Sequence, residues 1–166
     1  MVRFVVGVMG AGEQATPHNL ALAEELGRLL ALEGWVVLSG GRDCGVMRAV
    51  NKGAKQIPNS LTIGILPTVQ SSPSPDLDIA VITDLHSARN NINVLSSHVV
   101  VACGVGGAGT VSEIALALKA GKPVILLDTG AEWNYFFQAL DPEQVQIATE
   151  PKEVIQQIRQ LQALGT

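Results

Sequence analysis

Charge is scarce in this chain, and runs of one sign are missing. Of its 166 residues only 16% are Asp, Glu, Lys or Arg, against 47% hydrophobic, and the mean hydropathy is +0.30. So little charge leaves few polar strand faces, and strands buried on both sides typify parallel sheets. The net charge is −4 without a basic run, which argues against a nucleic-acid partner. No apolar run reaches the ~18 residues of a membrane-spanning helix, so no membrane partner is expected. The apolar start carries Arg3 and soon meets Gly10, Gly12 and Glu13, which reads as a first strand and not a secretory signal. Two cysteines, Cys44 and Cys103, form no metal-type pair, and His18, His86 and His98 are scattered without partners at useful spacing. Both cysteines read as small buried hydrophobes. No metal site is expected, and a cytoplasmic, reducing setting suits the chain. Neither a repeat nor a linker divides it, so residues 1–166 are expected to form one domain.

What is present alternates between strand and helix. Residues 2–9 are β-branched and apolar, and Gly10-Ala11-Gly12 makes a turn. Thr16-Pro17 predicts a helix start, with Leu20, Ala23, Leu26 and Leu30 at helical spacing and Gly34 at the end. Residues 35–38 predict a second strand, Ser39-Gly40-Gly41 a second turn and residues 45–56 a helix. Further strands are expected at 61–66, 79–82, 98–103 and 123–127, with a mobile Ser/Pro-rich loop over 68–78. A helix between the fourth and fifth strands is expected to carry Ala88, Ile92 and Leu95 on one face. Residues 104–109 form a third glycine turn, opening a helix with Ile114, Ala117, Leu118 and Gly121. Residues 128–141 read as irregular, 145–148 as a short last strand and 152–164 as a closing helix. The expected class is α/β: a single Rossmann-like domain, with a mostly parallel sheet of about six or seven strands and helices on both faces. Right-handed crossovers then put all three glycine turns on the carboxyl edge of the sheet, where such folds bind ligands.

The third turn, with Gly104, Gly106, Gly107, Gly109 and then Thr110, carries the strongest signal. Glycine lets backbone amides approach an anion, and the helix behind adds unpaired N–H groups and the positive end of its dipole. Gly10, Gly12, Gly40 and Gly41 offer the same chemistry from the other two turns. Arg89 and Arg42 are each candidates to fork onto a phosphate, or are solvated surface arginines. Asn90, Asn91 and Asn93 read ring edges or cap their helix. Glu113 has two readings: Thr110-x-x-Glu113 is a capping box, which spacing alone favours, or the carboxylate serves as a general base beside a bound sugar phosphate. The third turn also spells G-x-G-x-x-G, and Asp128 stands 19 residues after Gly109, the pattern of a dinucleotide-binding module. A Tyr-x-x-x-Lys pair is absent, since Ala139 follows Tyr135 at that spacing. The cluster Trp133, Tyr135, Phe136 and Phe137 reads as subunit or lid packing more readily than as a stacking platform.

The run Gly106-Gly107-x-Gly109-Thr110-x-x-Glu113, with Arg89 upstream and the Ser39-Gly40-Gly41…Gly45-Val46-Met47 turn, resembles the LOG-like, or "lysine decarboxylase-like", Rossmann superfamily. The resemblance spans residues 2–127. One of its branches holds phosphoribohydrolases of cytokinin riboside monophosphates, and it implies catalytic roles for Arg89 and Glu113. Asn90 stands where that branch usually has lysine, and Val105 where it usually has proline. The small-protein branch, which includes molybdenum cofactor carriers, is similar in length, in Gly40-Gly41-Arg42 and in the run from Ala88 to Leu95. The resemblance therefore implies a non-catalytic carrier that binds and protects the phosphorylated pterin cofactor as a homo-dimer or homo-tetramer. A nucleoside-monophosphate N-glycosidase and a dinucleotide module remain the alternatives.

Overall fold

The computed structural model describes residues 3–165. Its strands are β1 (Val5–Gly10), β2 (Val36–Ser39), β3 (Thr62–Leu66), β4 (Ile79–Ile82), β5 (Val99–Cys103), β6 (Val124–Leu127) and β7 (Val145–Ala148). All seven join one parallel sheet in the order β4-β3-β2-β1-β5-β6-β7. The helices are α1 (Pro17–Leu32), α2 (Gly45–Ala54), α3 (Arg89–Leu95), α4 (Ala108–Lys119), α5 (Ala131–Leu140) and α6 (Pro151–Ala163).

Successive strand residues point to opposite faces, and two cores result. Val99, Val101 and Cys103 join Val6, Val8 and Val37 beneath α1, α2 and α6. Val100 and Ala102 join Met9, Leu38 and Leu126 beneath α3, α4 and α5. This is the α/β, Rossmann-like arrangement of strands buried on both sides. Chain direction across the sheet reverses between β1 and β5, so the turns after those strands flank the crevice where open α/β sheets bind ligands.

Helix α1 begins as its sequence predicts. Thr16 Oγ1 accepts from the Asn19 amide at 3.1 Å, and Asn19 Oδ1 returns a bond to the Thr16 amide. Beyond the last turn Gly34 takes a positive φ of +74°. Strand β1 begins at Val5, later than the expected span 2–9, whose residue 2 lies outside the described residues; other helix and strand ends shift by a residue or two.

Three expectations about local structure are corrected. Residues 131–140 form helix α5, not an irregular stretch: Trp133 stacks on Phe137 and meets Phe136 edge-on at the helical spacings of four and three. The segment 68–78 is not a free loop. It is tied to the second glycine turn by Ser74 N to Gly41 O (2.8 Å), Asp43 N to Ser72 O (3.0 Å) and a bridge between Arg42 and Pro73. The face of α3 that carries Ile92 and Leu95 is not its most buried face, although Ile92 packs partly buried against the second core. Arg89, Asn90, Asn93 and Val94 are buried, whereas Leu95 is 54% exposed.

Candidate functional site

At the carboxyl edge, between β1 and β5, lies a pocket of about 180 Å³. Its floor is the end of β1 (Val8, Met9 and Gly10), continued by Ala11 and Gly12. One wall is the third glycine turn with the first turn of α4: Gly106, Gly107, Gly109, Thr110 and Glu113. The opposite wall is Gly40, Arg42 and Met47 from the second turn and α2, with Arg89 and Asn90 from α3. The fold thus gathers eleven of the sequence candidates: Gly10, Gly12, Gly40, Arg42, Arg89, Asn90, Gly106, Gly107, Gly109, Thr110 and Glu113.

Gly41 and Gly104 do not reach the lining. Gly41 (φ +74°) lies against Gly64, and Gly104 (φ +66°) against the Asn19 side chain, so both shape turns behind the site. Val8 and Met9 join the lining without having been singled out, because a buried Val or Met in a strand looks like any core residue, and Ala11 and Met47 join it from turns read only for their glycines.

The third turn presents what an anion needs. The first bond of α4 to form is Val111 N to Gly107 O at 3.3 Å. The amides of residues 106–110 meet no protein acceptor among the described residues. Gly107, Ala108 and Gly109 are exposed and Gly106 half-buried, while the Thr110 side chain is turned into the pocket wall. These are the orphan donors of a helix start, at the positive end of its dipole. Gly106 is glycine for packing, since a Cβ there would lie 2.0 Å from Ala11 Cβ. Gly109 faces open space on the same measure.

The capping-box reading of Glu113 is overturned. The N-cap of α4 is Gly107, and Thr110 lies within the helix. Glu113 is 7% exposed and accepts from Asn93 Nδ2 at 2.9 Å, with Arg89 Nη1 at 3.9 Å. Burial pushes its carboxyl above the usual carboxylate range, and the Asn93 bond and the Arg89 charge only partly offset that. Arg89 is itself 9% exposed, and neither its Nε nor its Nη1 has a hydrogen-bond partner among the described residues. Burial weakens its grip on its proton, opposed by Glu113, yet a guanidinium stays charged at physiological pH. Gly40 makes room for it: a Cβ there would sit 2.4 Å from Arg89 Nη1.

The remaining candidates separate. Asn90 donates to Ser112 Oγ at 3.0 Å, Asn91 is exposed, and Asn93 is buried, with its Oδ1 unpartnered among the described residues. Asp128, the acid of the dinucleotide reading, is outside the lining and pairs with His18 at 3.1 Å, which gives that histidine the partner spacing did not show. His98 also has partners: its Nδ1 accepts from the Val5 amide, and its ring stacks on Phe4. Cys103 is buried, its thiol pushed up to about 12 by burial. Cys44 is only half-buried, a departure from the expected core position.

The sequence profile of the SLOG cluster4 family matches residues 3–155. This chain belongs to that family. Among solved structures, the molybdenum cofactor binding protein of the phototrophic bacterium Rippkaea orientalis superposes on this member with a TM-score of 0.93, at 52% identity over 97% of this chain and 98% of that one. The molybdenum cofactor carrier protein of Chlamydomonas reinhardtii does so with a TM-score of 0.92, at 45% identity over 98% and 99%. More distantly, this SLOG cluster4 chain is 28% identical over 142 residues to a cytokinin riboside 5′-monophosphate phosphoribohydrolase of Mycobacterium tuberculosis, spanning 80% of this chain and 73% of that relative. The LOG-like resemblance read from the glycine motif is therefore a family relationship.

Proposed function

We propose that this protein is a non-catalytic carrier that holds the molybdenum cofactor by its phosphate. One observation carries the reading: unpaired amides of residues 106–110 open onto the same small pocket as Arg89, a buried cation with two unpartnered nitrogens. Leaving buried guanidinium nitrogens without hydrogen-bond partners costs stability, and a bound phosphate answers both these and the exposed amides. Thr110 adds a hydroxyl donor. The raised pKa of Glu113 keeps its carboxyl neutral further up the pH scale and so lessens its repulsion of an anion. Similarity to cofactor binding and carrier proteins at 45–52% identity supports the choice of ligand.

Exposed apolar side chains support assembly into a homo-dimer or homo-tetramer. Ile79, Val81 and Ile82 are exposed on the edge strand β4, and Tyr135, Phe136 and Leu140 are exposed on α5. No helix among the described residues is long and apolar enough to cross a membrane, and a cytoplasmic location fits two free cysteines.

The carrier reading is tested by Gly109→Asp. That position has room for a side chain, and an acid in the first turn of a helix suits the dipole, so the fold is retained. A carboxylate beside the phosphate opposes it by about 3 kcal/mol at intermediate dielectric. Wild-type protein is expected to bind molybdenum cofactor and slow its loss of activity in reconstitution of an apo-molybdoenzyme. Gly109→Asp is expected to bind about 100-fold more weakly with an unchanged melting temperature. Equal protection by both proteins rejects the site.

A second reading has one observation of its own, the Arg89–Glu113 pair in the pocket wall. In a phosphoribohydrolase, water adds to the ribose C1′ as the bond to the base breaks, releasing free base and ribose 5-phosphate. Glu113 would take the proton from water and pass it to the departing base, and Arg89 would hold the phosphate. Base released from adenosine monophosphate by the wild type but not by Glu113→Gln would establish this reading, and its absence on long incubation disposes of it.

A further inference from the structure

The pocket at residues 106–110 measures about 180 Å³, whereas sites enclosing a drug-sized ligand run roughly 300–1,000 Å³. On that comparison it is small for a whole phosphorylated heterocycle. Beside it lies an open trough of about 490 Å³ between the second glycine turn and the start of segment 68–78, and Arg42 lines both. The wall of the trough is polar: Asp43, Cys44, Thr68, Gln70, Ser71 and Ser72. Thr68 and Ser71 share a hydroxyl–hydroxyl bond of 2.9 Å, and the backbone bonds from Asp43 to Ser72 and from Ser74 to Gly41 fix the segment before any ligand arrives.

The chemistry of that wall selects an occupant. A carboxylate accepts from adjacent ring N–H and amino groups, while hydroxyls and a carboxamide donate to oxo groups. Among the described residues the Asp43 carboxylate is engaged only through Oδ1, at 3.4 Å from Arg48 Nε. Arg42 is paired at 3.0 Å with Glu13, whose side chain is 79% exposed, and exposed pairs of this kind are weak. Arg42 is thus free to leave Glu13 for a ligand crossing the seam.

We infer that the ligand lies across both cavities, its anionic end at residues 106–110 and a fused nitrogen heterocycle bearing amino and oxo groups in the trough lined by Asp43, Thr68, Gln70 and Ser72, with Arg42 between them. This rests on the phosphate-end reading above. Gln70 and Ser72 are exposed, and their side chains make no hydrogen bond among the described residues, so Gln70→Trp and Ser72→Trp fill the trough without removing a structural contact. Anaerobic binding titrations with molybdenum cofactor and, separately, with inorganic phosphate distinguish the two subsites. Each variant is expected to weaken cofactor binding at least about tenfold (~1.4 kcal/mol) and to leave phosphate binding within about twofold. Wild-type cofactor affinity in both variants overturns the inference, as does parallel loss of both ligands in both. Failure of the phosphate-end reading shows in the wild type instead: cofactor that inorganic phosphate never displaces contradicts that reading and removes this extension with it.

Discussion

The two walls of the pocket are built on opposite principles. The wall of residues 106–110 is backbone, open to solvent, and leaves unpaired only donors that any helix start leaves unpaired. The wall from α3 is side chain and buried: Arg89 and Asn90 line it, and Asn93 holds Glu113, where a helix on a sheet normally places leucine. On the proposed reading, the first would capture an anion of almost any kind. The second would fix which way a ligand faces, because a guanidinium and a carboxamide have directions. Loss of one wall should therefore resemble loss of charge capture, and damage to the other should resemble loss of orientation together with some loss of stability.

The largest separation is expected at Arg89. Arg89→Gln removes a charge-assisted contact and should weaken phosphate binding by about 2 kcal/mol, roughly 30-fold. The same change takes the counter-charge from buried Glu113, so the thermal midpoint should fall as well, and by less where Glu113 is protonated. A drop in the midpoint alongside retained binding would make Arg89 a structural residue. Within the backbone wall, Gly106 and Gly109 should part company. Gly106→Ala forces a Cβ to 2.0 Å from Ala11 Cβ and should cost about 2 kcal/mol of stability by overpacking. Gly109→Ala should instead stabilise the helix start, by roughly 0.5 kcal/mol. Urea unfolding of the two variants reads this directly, and similar midpoints would mean the turn relaxes as a unit.

The smallest effect concerns Glu113. A carboxyl whose native pKa is raised holds its proton more tightly folded than unfolded. Its contribution is therefore most favourable below the ordinary carboxylate range and is lost as pH rises through the raised native value. Glu113→Gln should flatten that part of the stability–pH curve. An unchanged slope would place the titration elsewhere.

The same contrast explains what was legible in the sequence. The backbone wall could be read because glycine acts locally: Gly106, Gly107 and Gly109 after an apolar strand and before a helix have few other uses. The β-branched runs gave strand order in the chain and burial on both faces, and Thr16-Pro17 and Gly34 bounded α1. The side-chain wall could not be read by the same means. Helical periodicity picks out the apolar face of α3, yet Arg89 and Asn93 turn inward because α4 supplies Glu113 opposite them, a fact of tertiary contact. Glu113 misled for a related reason, since its spacing from Thr110 fits a cap while Gly107 already holds that place. Helix α5 escaped notice because its aromatic residues are middling helix formers and gain their support from one another.

The central claim is that backbone amides at the start of α4 receive the ligand's phosphate. It is tested most directly by ¹⁵N–¹H spectra of the wild-type protein titrated with inorganic phosphate. Saturable shifts should be greatest at Gly106, Gly107, Ala108, Gly109 and Thr110 and should vanish in Gly109→Asp. Shifts centred elsewhere, or none at these five amides at saturating phosphate, would contradict the account.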